Sequence, residues 1–233
     1  MSLYNGWKYF ADLVYLRPLV LDRPQTLGGK AVSDYIIDYP GILAEVSTSD
    51  VDTIAAHLTV CLPDEWARAY RMSALRPTNL WRFPLGNFEY AIDHYSEIEF
   101  LHPRAFHPIE DRVVAVWGRS EPTAVRRNTS RQRGWGQPSK GHLRLTDDKG
   151  HFIAHSLGGS LDVNIFAQNR ETNRGWSEEG KLFRSMERYC GRYPGTFCFN
   201  RPLYNDDSFR PAELEFGILK RDGVLSIHTF NNP

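Results

Sequence analysis

Three polar side chains inside residues 147–176 have the types and spacing that hydrolysis of a phosphodiester needs: Lys149, His151 and Asn173. A histidine with an ordinary pKa of about 6.5 can take a proton from water near neutrality, which makes His151 a candidate general base. An Asn carbonyl is a neutral, hard oxygen donor. It suits Mg2+, which dehydrates reluctantly and keeps several waters, and it leaves the ion its full pull on a phosphate oxygen. Asn173 is therefore a candidate metal ligand, acting through charge stabilisation rather than by making the nucleophile. Each residue also has a plainer reading when taken alone: a partly buried structural histidine, and an Asn at a turn or helix cap.

Local elements must bring these groups together. The pattern predicts two short strands at 143–146 and 151–155, joined by a turn at Asp147-Asp148-Lys149-Gly150, so that His151 opens the second strand. Gly158-Gly159 ends that strand, and the segment from Asn164 through Gln168 leads into 169–173. A helix is predicted over 177–190, with Ser177 as N-cap, Glu178 and Glu179 in the first turn, and Gly191 as terminator. Leu182, Phe183, Met186, Tyr189 and Cys190 form its apolar stripe. Glu187 lies at the stripe's edge and Glu179 within its arc. Either carboxylate can reach back toward metal-bound water, and a surface salt bridge is an equal alternative for both.

Asp148-Lys149-Gly150-His151, followed by Asn164-Ile165-x-x-Gln168-x-x-x-x-Asn173 and then by Phe183 and Glu187, resembles the DNA/RNA non-specific endonuclease family of the ββα-metal superfamily. The resemblance covers about residues 112–232. It implies a hydrolase that cuts DNA and RNA backbones with one Mg2+ or Mn2+. His151 then matches the general base, Asn173 the metal ligand, and Glu187 the acid that orders metal-bound water, with Glu179 as its rival. Asp148, Gly150, Asn164 and Gln168 are supporting positions. Lys149 stands where many members carry Arg, which keeps a cation but loses the planar fork that grips phosphate at two points. Arg131 and Arg133 are the candidates for the phosphate-stabilising arginine.

The rest of the chain bounds this reading. A chain of 233 residues, 41% hydrophobic and 13% aromatic, can bury a full core. The net charge is zero, which argues against a nucleic-acid coat protein, yet residues 1–100 carry 8 Lys and Arg against 13 Asp and Glu, and residues 101–233 carry 20 against 15. Arg119, Arg126, Arg127, Arg131, Arg133, Lys140 and Arg144 face only Glu121 across 119–145, a candidate backbone-gripping segment or a solvated loop. Three cysteines without a CxxC pair support neither a disulfide framework nor a zinc ribbon, although a Cys190–Cys198 bridge is conceivable after export.

The fold expected is α+β, a mainly antiparallel sheet with a ββα-metal core in the C-terminal half. An acidic N-terminal subdomain or accessory region spans 1–100 and the nuclease domain 101–233. Strands are predicted at 42–46, 112–117, 195–204, 212–219 and 224–230, with a hairpin turn at Asp222-Gly223. Helices are predicted at 49–58 and 63–72, and 77–86 is turn-rich. No membrane span is expected; the substrate is DNA or RNA, and the N-terminal region is a candidate for a protein partner. A cytoplasmic location is expected, with a signal-peptide-free export route as the alternative. Two other readings stand beside the nuclease: a non-catalytic nucleic-acid-binding or protein-interaction module, and an exported antibacterial nuclease toxin.

Overall fold

The computed structural model describes residues 17–18, 36–74, 77–94, 111–123, 144–161, 163–206 and 208–233. They build an α+β fold around one antiparallel sheet in the order β1-β2-β3-β4-β7-β8-β9. These strands are β1 (Arg17–Pro18), β2 (Leu80–Leu85), β3 (Phe88–Asp93), β4 (Arg112–Arg119), β7 (Phe197–Leu203), β8 (Glu213–Leu219) and β9 (Leu225–Asn231). A separate two-stranded ribbon pairs β5 (Asp147–His151) with β6 (Ile165–Asn169). Four α-helices are described: α1 (Tyr39–Ala44), α2 (Val51–Ser73), α3 (Arg170–Arg174) and α4 (Glu178–Arg192).

The sheet separates two apolar layers. On one face α2 lays Ile54, Leu58, Leu62, Trp66 and Tyr70, spaced four apart, against Ala91, Val114, Ala115, Trp117, Phe197 and Phe199. On the other face Tyr90, Ile92, Val113, Val116, Cys198 and Phe216 meet Phe152 and Phe166 from the ribbon segment and Phe183, Met186 and Cys190 from α4. The strand at β4 is the one the sequence predicts from its apolar run, and burial on both faces explains why the run does not alternate. Its register shifts where Ala91 pairs with Ala115 and Ile92 with Val113, so Val114 is the extra residue and the side-chain alternation resets there.

Several sequence expectations are corrected by this arrangement. Residues 42–46 are not a strand. Asp38 accepts a hydrogen bond from Gly41 N at 2.9 Å and Pro40 follows it, so a capped helix start outweighs the β-branched residues behind it. The helices expected at 49–58 and 63–72 are one helix of 23 residues with Pro63 inside it. The proline removes one backbone donor, but buried residues on both sides of it, Leu62 and Trp66 among them, hold the helix through that point. The turn-rich 77–86 contains β2, which pairs with β3 through its whole length. The sheet itself runs across residue 100, with Phe88 paired to Gly118 and Asp93 to Arg112. The strands β7, β8 and β9 stand where they are expected, and Asp222-Gly223 turns between the last two.

Candidate active site

The ribbon is not the hairpin the sequence suggests. Asp147-Asp148-Lys149-Gly150-His151 is the strand itself, and its partner is β6, with Asp147 opposite Asn169, Asp148 opposite Gln168 and His151 opposite Ile165. The turn lies earlier, at Leu145 and Thr146. The physical reason is visible at both ends. Asp147, though a turn-former by type, is drawn into a buried ion pair, its carboxylate accepting from Arg210 Nη2 at 2.8 Å and Nε at 2.9 Å. Gly150 sits under Gln168: a Cβ there would lie 2.2 Å from Gln168 Oε1 and 2.5 Å from its Cβ. The glycine thus permits close approach across the ribbon rather than a bend.

Asn169 caps α3, its Oδ1 accepting from Glu171 N at 3.0 Å and Thr172 N at 3.2 Å. This short helix ends at Gly175, whose φ of +71° is left-handed and reverses the chain toward Ser177, the N-cap of α4. The cap at Ser177 is as expected, but α4 continues through Gly191 to Arg192. Asn173 therefore lies on α3, directly after the ribbon.

Asp148 joins strand to helix. Its carboxylate accepts from Asn173 Nδ2 at 3.3 Å, from Arg170 Nε at 3.1 Å and from Arg174 Nε at 2.6 Å. Burial pushes this carboxyl upward, but the hydrogen bonds from Arg174, Arg170 and Asn173 outweigh it and hold the pKa below the ordinary carboxylate value. Because the Asn173 amide gives its nitrogen to Asp148, its carbonyl oxygen is the end left to accept, and among the described residues no donor hydrogen-bonds to it. That oxygen is a hard, uncharged donor of the type that suits hard cations. Arg174 also lies over the Trp176 ring at 4.9 Å, and that indole is exposed.

The remaining predicted residues separate into groups. His151 is half-buried at the end of β5, and Lys149 is half-buried two positions before it, its ammonium pulled below the usual lysine range by burial. Asn164 is fully buried and acts as a loop clamp. Its Oδ1 accepts from Ile153 N at 2.9 Å, and its Nδ2 donates to Ile153 O at 2.6 Å and Ser160 O at 2.9 Å. Gln168 is buried under the ribbon, with no hydrogen-bond partner for Nε2 among the described residues. Glu187 pairs with Arg184 at 3.1 Å; burial raises its carboxyl above the ordinary value despite Arg184 and Arg188. Glu179 accepts from Asn231 Nδ2 at 3.0 Å. Arg131, Arg133 and most of the basic run lie outside the described residues, while Arg119 is paired with Asp52 at 2.6 Å. Cys190 and Cys198 are both buried free thiols.

Sequence reasoning missed the groups that fix this assembly to the sheet. Asn232 Oδ1 accepts from Asn169 N at 2.6 Å, while its Nδ2 donates to Ala167 O at 3.1 Å and Pro211 O at 2.7 Å. Arg210 also donates to the carbonyls of Asn232 at 2.6 Å and Pro233 at 2.7 Å. Asn200 Nδ2 donates to Phe152 O at 3.1 Å from the middle of β7. Only Asn200, inside the apolar run from Phe197, carries a signal of its own; Arg210 and Asn232 stand in polar, turn-like stretches that give none.

No protein-family model matches the chain, and no curated protein matches it. Among solved structures it is similar to the Sda1 nuclease determined with a bound zinc ion, at 18% identity and a TM-score of 0.35, covering 71% of this chain and 81% of that one.

Proposed function

We propose that the β5–β6 ribbon and α3 form the centre of a metal-dependent nuclease that hydrolyses DNA or RNA backbones without reading their sequence. The observation that carries this reading is the Asp148–Asn173 hydrogen bond, which orients one neutral carboxamide oxygen on a helix directly continuous with the histidine-bearing ribbon. Asn173 would hold a Mg2+ or Mn2+ ion, with Glu187, or Glu179 in its place, positioned to order water near it. When bound, the ion supplies Lewis-acid charge to the phosphate oxygens and the leaving 3′ oxygen.

His151 accepts the proton of the attacking water, which requires its ring to be neutral. Lys149 adds positive charge beside the phosphate, and Arg131 or Arg133 stabilises the developing negative charge from the basic segment. Contacts confined to phosphate account for the absence of sequence preference.

Digestion of a supercoiled plasmid across Mg2+ and Mn2+ concentrations by wild type, His151→Ala and Asn173→Ala tests the proposal. Cleavage in the wild type, its abolition by EDTA, and losses of about 10²–10⁴-fold in His151→Ala are expected. Binding without cleavage by a folded wild type would leave a nucleic-acid-binding module instead. Toxicity on cytoplasmic expression, relieved by His151→Ala, would identify the nuclease as a toxin.

A further inference from the structure

The face of the sheet opposite the ribbon carries a second group of chemistry-bearing side chains. Glu45 caps the C-terminus of α1, and His57 and Cys61 stand four apart on α2, hence on one side of that helix. One ligand atom from each of the three lies within 4.8 Å of the other two, and this is the one grouping of three or more such side chains among the described residues. Cys61 Sγ is 3.7 Å from His57 Nδ1, and Glu45 Oε2 is 3.7 Å from His57 Nε2.

The histidine tautomer follows from its other neighbour. His57 Nε2 lies 3.0 Å from the carbonyl oxygen of Ile42, and a carbonyl can only accept, so Nε2 carries the hydrogen. In the neutral ring Nδ1 is then the lone-pair nitrogen, facing the thiol. An outer carbonyl that fixes the tautomer and orientation of a ring is the usual support of a metal-binding histidine. The spacing agrees as well. Zinc bonds of about 2.3 Å to sulfur and 2.0–2.1 Å to nitrogen at a tetrahedral angle place the two ligand atoms about 3.6 Å apart.

We propose that Glu45, His57 and Cys61 bind zinc or a similarly thiophilic divalent cation, which fastens α1 to α2. On binding, the Cys61 thiol proton leaves to solvent as the sulfur–metal bond forms, His57 donates through Nδ1, and a carboxylate oxygen of Glu45 supplies the third ligand. Glu45 is 66% exposed, so its side chain can swing onto the ion without disturbing the core. Three protein ligands leave the fourth position to water. Glu45, Asp64 and Glu65 place negative charge around Cys61, a field that attracts a dication. A staple has a purpose here, because α1 has only six residues and buries none of them fully.

The test is titration of the metal-free full chain with cobalt(II), read as the thiolate-to-cobalt charge-transfer band. One equivalent should generate the band in wild type, zinc should displace the cobalt, and Cys61→Ser should abolish the band. His57→Gln and Glu45→Gln should each weaken binding about tenfold or more. Asn173→Ala should leave the band intact, which separates this centre from the proposed active site. Independently of any variant, zinc should slow alkylation of Cys61 and amide exchange in α1. Absence of the band in wild type, its persistence in Cys61→Ser, or alkylation of Cys61 at the same rate with and without zinc would each overturn the proposal.

Discussion

The two faces of the central sheet both rest on apolar packing and differ in what their polar groups hold. Under α2, aromatic rings meet directly: Trp66 lies 5.5 Å from Trp117 and 4.9 Å from Phe199, centroid to centroid. Apolar burial of this kind is strong but non-directional, and it tolerates small shifts. The ribbon face also has an apolar floor, Phe152 stacked on Phe166 at 4.3 Å, but its position is fixed by Asn164, Asn200, Asn232 and the Arg210–Asp147 pair. Hydrogen bonds demand direction as well as proximity. The α2 face has buried polar groups too, with Tyr70 Oη donating to Asp93 at 2.8 Å, Trp66 Nε1 to Tyr39 Oη at 3.1 Å and Arg201 paired with Glu215 at 2.9 Å. These tie the sheet to its flanking helices or to itself, whereas the ribbon-face clamps hold a separate two-stranded unit in place.

The largest expected effect probes whether the ribbon face is one catalytic unit. His151 stands three residues beyond Asp148, so a regular pleat sends the two side chains to opposite sides of β5. The strand must turn at its end for His151 to serve the same phosphate as Asn173. If it does, His151→Ala and Asn173→Ala are strongly non-additive: the double variant loses no more than about tenfold beyond the worse single one. Independent, multiplicative losses in single-turnover cleavage would show that the two residues do not share a site.

Next in size is the clamp itself. Arg210→Met leaves the Asp147 carboxylate, 0% exposed, without its counter-ion. Breaking a buried pair in this way costs about 3–5 kcal/mol, or a fall in Tm on the order of 10 °C. Leu58→Ala on the other face costs about 2–5 kcal/mol through the cavity it leaves. The contrast lies in activity measured well below either Tm. Leu58→Ala should cleave at close to the wild-type rate, and Arg210→Met should not, because β5 has lost its anchor. Equal activity in the two variants would mean that the clamps serve stability alone.

Smaller still is the effect of Asp148. Its folded pKa lies below the unfolded value of about 3.9, so its contribution is present above that value and is lost as pH falls through the folded pKa. Asp148→Asn should therefore be less stable than wild type at pH 7, with the gap in Tm closing below about pH 4. Cleavage by the variant should fall about 10–100-fold, the size of a lost supporting contact behind a metal ligand. A gap that stays constant with pH would mean that the charge of Asp148 does not hold the three side chains.

The ribbon's residue types could be read from the sequence, and its geometry hardly at all. Asp148, Gly150, His151 and Asn173 were recognisable by type and order, and the apolar run at β4 and the Asp222-Gly223 turn placed half of the sheet. What could not be seen came from distant partners. Asp147 looks like a turn residue until Arg210, 63 positions later, takes its carboxylate into the interior. Pro63 looks like the start of a new helix until both flanks are buried against the sheet. His57 and Cys61 carry no spacing signal of their own, because their third companion lies on another helix.

The smallest effect is also the most diagnostic for the choice between carboxylates. Burial raises the Glu187 pKa above its unfolded value, so this group favours the folded state fully below the unfolded value and loses that advantage as pH rises through the folded one. When ionised, the side chain is held by Arg184 at 3.1 Å but disfavoured by burial. Glu187→Gln keeps the shape and removes the charge, so Tm at pH 8 should stay level or rise slightly. A water-ordering role requires that charge, and the same variant should then cleave more slowly while binding DNA as well as wild type does. Glu179 is exposed and tied to Asn231, and Glu179→Gln should change neither quantity. If Glu179→Gln slows cleavage and Glu187→Gln does not, the roles are reversed, and α4 presents its first turn to the metal rather than its middle.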